Sequence, residues 1–261
     1  METFETITCV VQGPVATVTL NRPEVRNALS NQMVTDLLRC FTTLASEEYE
    51  GVRAVVLRAA GSVFCAGGDV RDLSDFLSTE ENRAAIAQLD ALLRAVNQAP
   101  QVVIARAQGA ALGGGLGLIC VCDVAVAGES ASFGLPEVRL GLVPAVISPY
   151  VVERVGLTRA RQLMLTGARF DVAHALTYGL IHEACADEEL DTHVAAVVGE
   201  VLRCGPQALR ECKRLLFRVA RDADTLDYRV ELLDRLRASE EAQQGMLAFI
   251  AKQPAPWAVQ S

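Results

Sequence analysis

Two glycine-rich segments of the sequence have the residue types needed to hold a negatively charged oxygen with backbone N–H groups. The first runs from Cys65 to Asp69 with glycines at 67 and 68, and the second runs from Leu112 to Gly115 with three glycines in a row. Glycine allows a ligand to approach the backbone closely, and the first N–H groups of a helix have no partner inside it. Two such turns facing each other would form an oxyanion hole; the alternative is two tight turns needed only for packing.

Other sequence motifs that carry chemistry are incomplete. The dinucleotide-binding motif G-x-G-x-x-G is incomplete, because Leu118 occupies the position of the third glycine. The sequence contains neither a P-loop motif nor the G-x-S-x-G motif of serine hydrolases. His182 resembles the start of a zinc-binding helix, but Ala186 occupies the second histidine position. Cys120 and Cys122 are expected in the core rather than on a metal. We therefore predict no metal site.

The composition is that of a globular protein with an acidic balance. The chain has 261 residues, is 51% hydrophobic and carries a formal net charge of −8. This net negative charge argues against nucleic acid or an anionic membrane as the main partner, because phosphate contacts need clustered Lys and Arg. The 8 cysteines lie in apolar surroundings, and the first residues lack a targeting pattern. We expect a cytoplasmic protein without membrane spans.

The hydrophobic pattern predicts α/β elements that position the two glycine turns. A hairpin opens the chain, Ser30 caps a helix, and Ser78 with Glu81 has the spacing of a capping box at the start of a long helix. A short helix is expected after the second glycine turn. The predicted strands are Ile7–Val11, Val15–Leu20, Val52–Leu57, Val102–Ala105 and Asp123–Ala127, and the short helix is Leu118–Cys122.

The chain becomes mostly helical after Val146. Two long amphipathic runs, 187–203 and 206–221, follow glycine stops at 156, 167 and 179. No period of 20–50 residues repeats cleanly and no low-complexity linker divides the chain. We predict an α/β core over residues 1–195, which contains the functional site, and a C-terminal helical region over residues 196–261.

The order and spacing of several motifs resemble the enoyl-CoA hydratase/isomerase (crotonase) superfamily over essentially the whole chain. The resemblance implies a spiral of ββα units with a C-terminal helical trimerisation region, assembled as a homotrimer or a dimer of trimers. It also implies an acyl-CoA thioester as partner and no redox or metal cofactor, coenzyme A being part of the substrate. The motifs are Leu20-Asn21-Arg22-Pro23, Arg26-Asn27-Ala28-Leu29, Phe64 to Asp69, Ala111 to Gly115, Cys122-Asp123, Phe133 to Glu137, Gly141, Leu163 with Thr166-Gly167, and Gly245 to Phe249 with Lys252.

The resemblance assigns roles to individual positions. Gly68 and Gly114 match the residues whose N–H groups hold the thioester oxygen, and Arg26 matches a basic position near the CoA phosphates. Phe249 and Lys252 match residues that reach a neighbouring subunit's CoA. For Arg26 and Lys252 the alternative is a solvated surface charge. The full set of predicted substrate or CoA contacts is Arg26, Ala28, Ala66, Asp69, Val70, Gly117, Pro136, Phe249 and Lys252.

The acid/base positions depart from the pattern that the resemblance implies. Typical hydratases of the superfamily use two carboxylates, and here the second is Glu137 whereas Gly117 occupies the place of the first. A buried carboxyl near a thioester has the raised pKa that a proton carrier needs, so Glu137 is the main candidate. The alternative is a carboxylate that only caps a turn. We expect Gly117 to leave open room beside the helix start.

Three functions are compatible with one carboxylate. The stretch 137–152 with Gly115 to Leu118 resembles a bacterial subgroup that hydrates branched glutaconyl-CoA substrates, namely 3-methylglutaconyl-CoA in leucine breakdown and isohexenylglutaconyl-CoA in acyclic terpene breakdown. The carboxylate of such a substrate would assist the water or occupy the room at Gly117. The alternatives are a Δ3,Δ2-enoyl-CoA isomerase and a non-catalytic scaffold that binds CoA or RNA. A dehalogenase of the same superfamily is disfavoured, since it would need a nucleophilic acid after Glu137 and residues 138–150 contain no Asp or Glu.

Overall fold

The computed structural model describes residues 3–69, 79–220 and 223–258 as an α/β fold with two β-sheets and nine α-helices. Val70 and Ser78, which carry two of the predictions, lie outside these ranges. The strands are β1 Ile7–Gln12, β2 Val15–Leu20, β3 Ala54–Ala59, β4 Val102–Ala107, β5 Ala110–Leu112, β6 Val124–Gly128, β7 Ser132–Gly134, β8 Arg169–Asp171 and β9 Glu183–Cys185. The helices are α1 Asn31–Leu44, α2 Thr79–Asn97, α3 Gly114–Cys120, α4 Ser148–Thr166, α5 Val172–Thr177, α6 Leu190–Arg203, α7 Pro206–Ala220, α8 Leu226–Arg237 and α9 Glu240–Ile250.

The larger sheet has six strands in the order β1-β2-β3-β4-β6-β9. Strand β1 pairs antiparallel with β2, which confirms the predicted hairpin, and the remaining neighbours are parallel. Parallel neighbours require crossover connections, and α1 supplies the first of them between β2 and β3. This helix begins as predicted, because the Ser30 hydroxyl oxygen accepts a hydrogen bond from the Met33 N–H at 3.2 Å.

The smaller sheet is built from the short stretches that follow the main strands. Strand β5 follows β4 and β7 follows β6, and the two short strands pair in parallel. Two isolated parallel bridges, Leu29 with Gly68 and Cys65 with Ala111, extend the same ladder to the stretches after β2 and β3. Each turn of the chain therefore adds one strand to the larger sheet and one short stretch to the smaller one, which confirms the expected spiral.

The structure differs from the predicted elements in several places. The short strands β5, β7, β8 and β9 were not predicted; β8 and β9 lie in the part that was expected to be mostly helical, and β9 completes the larger sheet. Each is only 3 residues long, too short for a periodic pattern. The third strand starts at Ala54 rather than Val52. Helix α3 starts at Gly114 rather than Leu118, since Gly113, with a φ of 50°, turns the chain directly into the helix.

Helix α6 packs on the larger sheet, and the helices that follow it leave apolar side chains exposed. Leu190, Val194 and Val201 of α6 bury against the outer face of the sheet. The predicted boundary at residue 195 falls inside this helix, and the division into core and helical region stays a prediction. The Lys213 ammonium of α7 binds the Asp123 carboxylate at 2.7 Å and attaches α7 to the core. Exposed apolar side chains of α7 to α9 include Leu216, Val219, Leu226, Leu233, Leu247, Phe249 and Ile250.

Within the described ranges, no helix has the length and apolar character needed to cross a membrane.

Candidate active site

The three central candidate groups follow neighbouring strands of the smaller sheet. Gly68 comes after the bridge at Cys65, Gly114 follows β5, and Glu137 follows β7. Cys65 pairs in parallel with Ala111 of β5, and β5 pairs in parallel with β7. The carboxyl ends of parallel strands meet at one edge of a sheet, which is where ligands bind in open α/β folds. The topology therefore brings the three groups to one edge.

The two glycine turns contact each other directly. Gly67 has a φ of +103° and Gly113 a φ of +50°, a region that L side chains rarely adopt. A Cβ on Gly67 would lie 3.2 Å from the Leu112 carbonyl oxygen, and a Cβ on Gly113 would lie 2.8 Å from Oε1 of Glu137. Both positions thus require glycine for backbone conformation and for space.

The N–H groups of Gly68 and Gly114 are available to a ligand. The Leu29 N–H donates to the Gly67 carbonyl at 2.8 Å and the Asp69 N–H donates to the Leu29 carbonyl at 2.9 Å, so the N–H of Gly68 is on the opposite side of its strand. Gly114 is the first residue of α3, where an N–H has no partner in the helix. Neither group donates to a backbone oxygen of the described residues. Together they can stabilise an oxyanion.

The Glu137 carboxyl lies beside the glycine turns with one oxygen unpaired. Glu137 is the second residue of a 3-10 turn, Pro136–Leu140, and its backbone carbonyl accepts from the Leu142 N–H at 3.0 Å. Oε2 is buried without a hydrogen-bond partner among the described residues, and burial raises the pKa of the carboxyl. A hydrogen bond from the backbone N–H of Glu137 to its own carboxyl opposes this rise in pKa without cancelling it. A carboxyl in this state is suited to carry a proton.

The expected open room at Gly117 is absent, and that expectation was wrong. Gly117 is buried in α3, and a Cβ there would lie 2.3 Å from Cγ2 of Ile147. Ile147, just before α4, is only 3% exposed and packs against the glycine. Sequence reasoning missed Ile147, because no local pattern connects it to Gly117 across the fold. The place of the first family carboxylate is therefore closed by an apolar side chain.

A buried asparagine fixes the chain before the first glycine turn. Asn27 is fully buried with a φ of 53°; its side-chain oxygen accepts from the Arg22 N–H at 2.9 Å. Its amide nitrogen donates to the carbonyls of Ala60 and Val63 at 2.8 Å each. The Arg22 guanidinium also forms an ion pair with Asp69 at 3.1 Å. Sequence reasoning quoted Arg22 and Asn27 as motif residues without assigning them this positioning role.

Four predicted CoA contacts lie next to the first glycine turn. Arg26 is exposed with a φ of 55°, and its carbonyl accepts from the Ala66 N–H at 3.0 Å. The Ala28 carbonyl accepts from the Arg22 guanidinium at 2.8 Å, and Asp69 is buried in its ion pair. Their contacts with CoA stay predictions.

The remaining predicted contacts lie elsewhere. Pro136 precedes Glu137 in its 3-10 turn. Phe249, 85% exposed, and Lys252 lie at and just after the end of α9, on the C-terminal helices rather than on the glycine turns. In the described part of the chain, no three His, Cys, Asp or Glu residues are grouped to hold a metal ion.

The fold and this edge of the smaller sheet are suited to an enzyme that would stabilise an oxyanion between two glycine turns and move a proton with a carboxyl group. The chain belongs to the enoyl-CoA hydratase/isomerase (crotonase) family, because the profile of enoyl-CoA hydratase/isomerase matches residues 11–260.

Relatives and solved structures match the chain over nearly its whole length. A putative enoyl-CoA hydratase of Thermus thermophilus is 34% identical over 94% of this chain and 98% of its own. A crystal structure of an enoyl-CoA hydratase/isomerase from Marinobacter aquaeolei is 38% identical with a TM-score of 0.90, covering 97% of this chain and 99% of its own. Pseudomonas aeruginosa AtuE is 39% identical with a TM-score of 0.92, covering 98% of this chain and 100% of its own.

The unpaired Glu137 carboxyl predicts a pH-dependent gain in stability for Glu137→Gln. A raised pKa keeps the proton on the folded protein at pH values where the unfolded chain has lost it, so this group lowers wild-type stability as pH rises above the usual Glu pKa of about 4.3. Glu137→Gln should melt at a higher temperature than wild type at pH 7, with a difference that shrinks toward pH 4. Glu129→Gln, at an exposed position, is the control. A pH-independent difference would contradict this assignment.

The contact of Gly117 with Ile147 predicts that Gly117→Glu is destabilising by about 1–3 kcal/mol, since the added side chain overpacks a closed site. Gly199→Glu is the matched control, because Gly199 is also helical but has nothing within 4 Å of its Cβ position. The double variant Gly117→Glu/Ile147→Ala should be more stable than the sum of the single effects predicts. Thermal unfolding measures these three variants and the single variant Ile147→Ala, and additive effects would show that the two positions do not compete for space.

Proposed function

We propose that this enzyme adds water to an α,β-unsaturated acyl-CoA of the branched glutaconyl type, 3-methylglutaconyl-CoA or isohexenylglutaconyl-CoA. The observation that carries the proposal is the half-buried Glu137, whose carboxyl lies beside the two glycine turns with a buried Oε2 that has no partner among the described residues. The names of the relatives, several of which are enoyl-CoA hydratases, support the reaction class. A role in leucine or acyclic terpene breakdown follows from these substrates.

In the proposed mechanism the thioester oxygen accepts hydrogen bonds from the N–H groups of Gly68 and Gly114. Negative charge then develops on this oxygen as water adds to the β-carbon, and the enolate-like intermediate is stabilised where it forms. Losing one such donor costs about 10²–10³-fold in rate in comparable sites. Glu137, whose raised pKa favours the protonated form, delivers a proton to the α-carbon. The attacking water loses a proton to the carboxylate of the substrate, and that proton returns through solvent to Glu137, so the net change is the addition of one water.

The packing at Gly117 is the reason for proposing a substrate with its own carboxylate. Ile147 closes the position where ordinary hydratases hold the first acid, so the described residues supply no carboxylate there to orient the water. Since there is no open room at Gly117 for the substrate's carboxylate to occupy, we assign this carboxylate the other role. It holds and polarises the attacking water. A substrate without that group lacks this assistance and should react slowly.

The second candidate is a Δ3,Δ2-enoyl-CoA isomerase. One carboxyl suffices to move a proton between carbons of a dienolate, and the apolar side chain of Ile147 beside Gly117 favours a reaction without added water. A non-catalytic scaffold is disfavoured, because an unpaired buried carboxyl oxygen costs stability and gives a scaffold no benefit.

The proposal includes a trimer-based assembly and a cytoplasmic location, with no cofactor besides the CoA of the substrate. The exposed apolar side chains of α7 to α9 support assembly, since contiguous apolar surface of this kind commonly marks an interface. Phe249 and Lys252 would then reach the CoA of a neighbouring subunit, and Arg26 the phosphates of its own.

A substrate panel in heavy-oxygen water tests the proposal. Crotonyl-, 3-methylglutaconyl- and isohexenylglutaconyl-CoA are compared with a 3-enoyl-CoA, and products are analysed by mass spectrometry for solvent oxygen. We expect a glutaconyl thioester to be hydrated at least about tenfold faster than crotonyl-CoA, a transition-state difference of about 1.4 kcal/mol. Equal rates would contradict the assistance by the substrate carboxylate. Isomerisation of the 3-enoyl-CoA without oxygen incorporation into any substrate would establish the isomerase instead.

A further inference from the structure

The chain that follows the last helix is bound to the core by three hydrogen bonds. Arg53, immediately before β3, is 9% exposed, and its guanidinium donates to the Leu202 carbonyl at 3.1 Å and to the Trp257 carbonyl at 2.9 Å. The indole N–H of Trp257 donates in turn to the Arg203 carbonyl at 3.1 Å. Leu202 and Arg203 are the last two residues of α6. We call Arg53 and Trp257, with these three hydrogen bonds, the C-terminal clasp.

The C-terminal clasp also contacts helix α9. A Cβ on Gly245, in the middle of α9, would lie 2.6 Å from the indole ring of Trp257, so the ring packs on the helix backbone. At the start of α9, the Glu241 carboxylate accepts from the N–H groups of Gln207 and Ala208 at 2.8 and 2.9 Å and caps α7. Helix α9 is therefore held by these contacts, although none of its own residues is buried.

Lys252 ends α9 in a backbone conformation that favours glycine. The Gln253 N–H donates to the Ala248 carbonyl at 2.9 Å and the Lys252 N–H donates to the Phe249 carbonyl at 3.1 Å, which are the two hydrogen bonds of a Schellman motif. Lys252 is the left-handed residue of this motif, with a φ of 53°. A side chain is strained in that conformation, and strain of this kind concentrates at functional sites. The exposed lysine is therefore a candidate for a ligand contact.

We propose that Arg53 and Trp257 are positioning residues, which hold Lys252 where its ammonium contacts the CoA of a neighbouring subunit. This inference rests on the assembly and the CoA contact of the proposed function.

The short connection between Lys252 and Trp257 supports this role. Only the stretch 253–256 separates the two residues, and Pro254 and Pro256 restrict its backbone. With α9 on one side and the C-terminal clasp on the other, the backbone of Lys252 has little freedom to move. A cation held in place before the ligand arrives loses less conformational entropy on binding, which increases affinity.

The affinity for butyryl-CoA tests the C-terminal clasp separately from hydration, because this saturated thioester cannot add water. Trp257→Ala removes the indole hydrogen bond and the contact with Gly245, and should weaken binding about tenfold, since Lys252 must then be ordered on binding. Trp257→Phe keeps a ring beside α9 and should recover part of the loss. Val194→Ala, which removes a core contact of α6, is the control that should lower stability without changing affinity. Isothermal titration calorimetry measures binding.

Lys252→Gly distinguishes a ligand contact from a structural role of the lysine. Glycine relieves the strain at positive φ, so this variant should melt at a higher temperature than wild type while binding butyryl-CoA about tenfold more weakly. The double variant Lys252→Gly/Trp257→Ala should bind no more weakly than Lys252→Gly alone, because the C-terminal clasp acts through the lysine. Circular dichroism verifies that each variant retains the fold.

The outcomes separate this inference from the proposed reaction. Wild-type affinity in Trp257→Ala, or independent losses that multiply in the double variant, would overturn the positioning role. Unchanged affinity in Lys252→Gly would overturn the lysine contact and the inference with it. If these affinities change as expected but the wild-type protein hydrates no thioester, the positioning role stands and only the proposed hydration is contradicted.

Discussion

The close contact between the turns at Gly67 and Gly113 is the constraint on which the candidate site depends. Both residues have positive φ, and a Cβ on either would meet a backbone or carboxyl oxygen. Only because both side chains are absent can two neighbouring parallel stretches end against each other with Gly68 and Gly114 directly beyond them. The parallel pairs that run from Leu29 to β7 fix the positions of the stretches that end at this edge. The placement of the two candidate oxyanion donors, the N–H groups of Gly68 and Gly114, is therefore a product of backbone geometry.

At the same edge, the Glu137 carboxyl is partly buried with one unpaired oxygen, a state that costs stability but suits proton transfer. Glu137 has a buried oxygen without a partner, and the nearby Gly117 position is filled by Ile147 rather than by a second acid. An unsatisfied buried carboxyl costs about 1–3 kcal/mol or more in stability. The packed α/β core offsets this cost. We interpret the site as one in which stability is lost locally and the protonated form of the Glu137 carboxyl is favoured.

Local sequence signals predicted the elements that depend on neighbouring residues. The β1–β2 hairpin and the Ser30 cap follow from alternation and side-chain chemistry, and the glycine turns were recognised from composition alone. Strand β9 could not be found in this way, because a stretch of 3 residues is defined by its partner in the sheet. The closed surroundings of Gly117 were missed for the same reason. They depend on Ile147, which lies on a different element and meets Gly117 only in the folded chain.

The central claim is that Glu137 exchanges a proton with the α-carbon of a thioester held by Gly68 and Gly114. The most direct measurement is deuterium incorporation at the α-carbon of butyryl-CoA in heavy water, followed by proton NMR, since exchange requires the enolate but neither hydration nor isomerisation. Wild-type protein should exchange this proton, and Glu137→Gln should exchange it more than about tenfold more slowly while binding the thioester with unchanged affinity. Equal exchange by the two proteins would contradict the account.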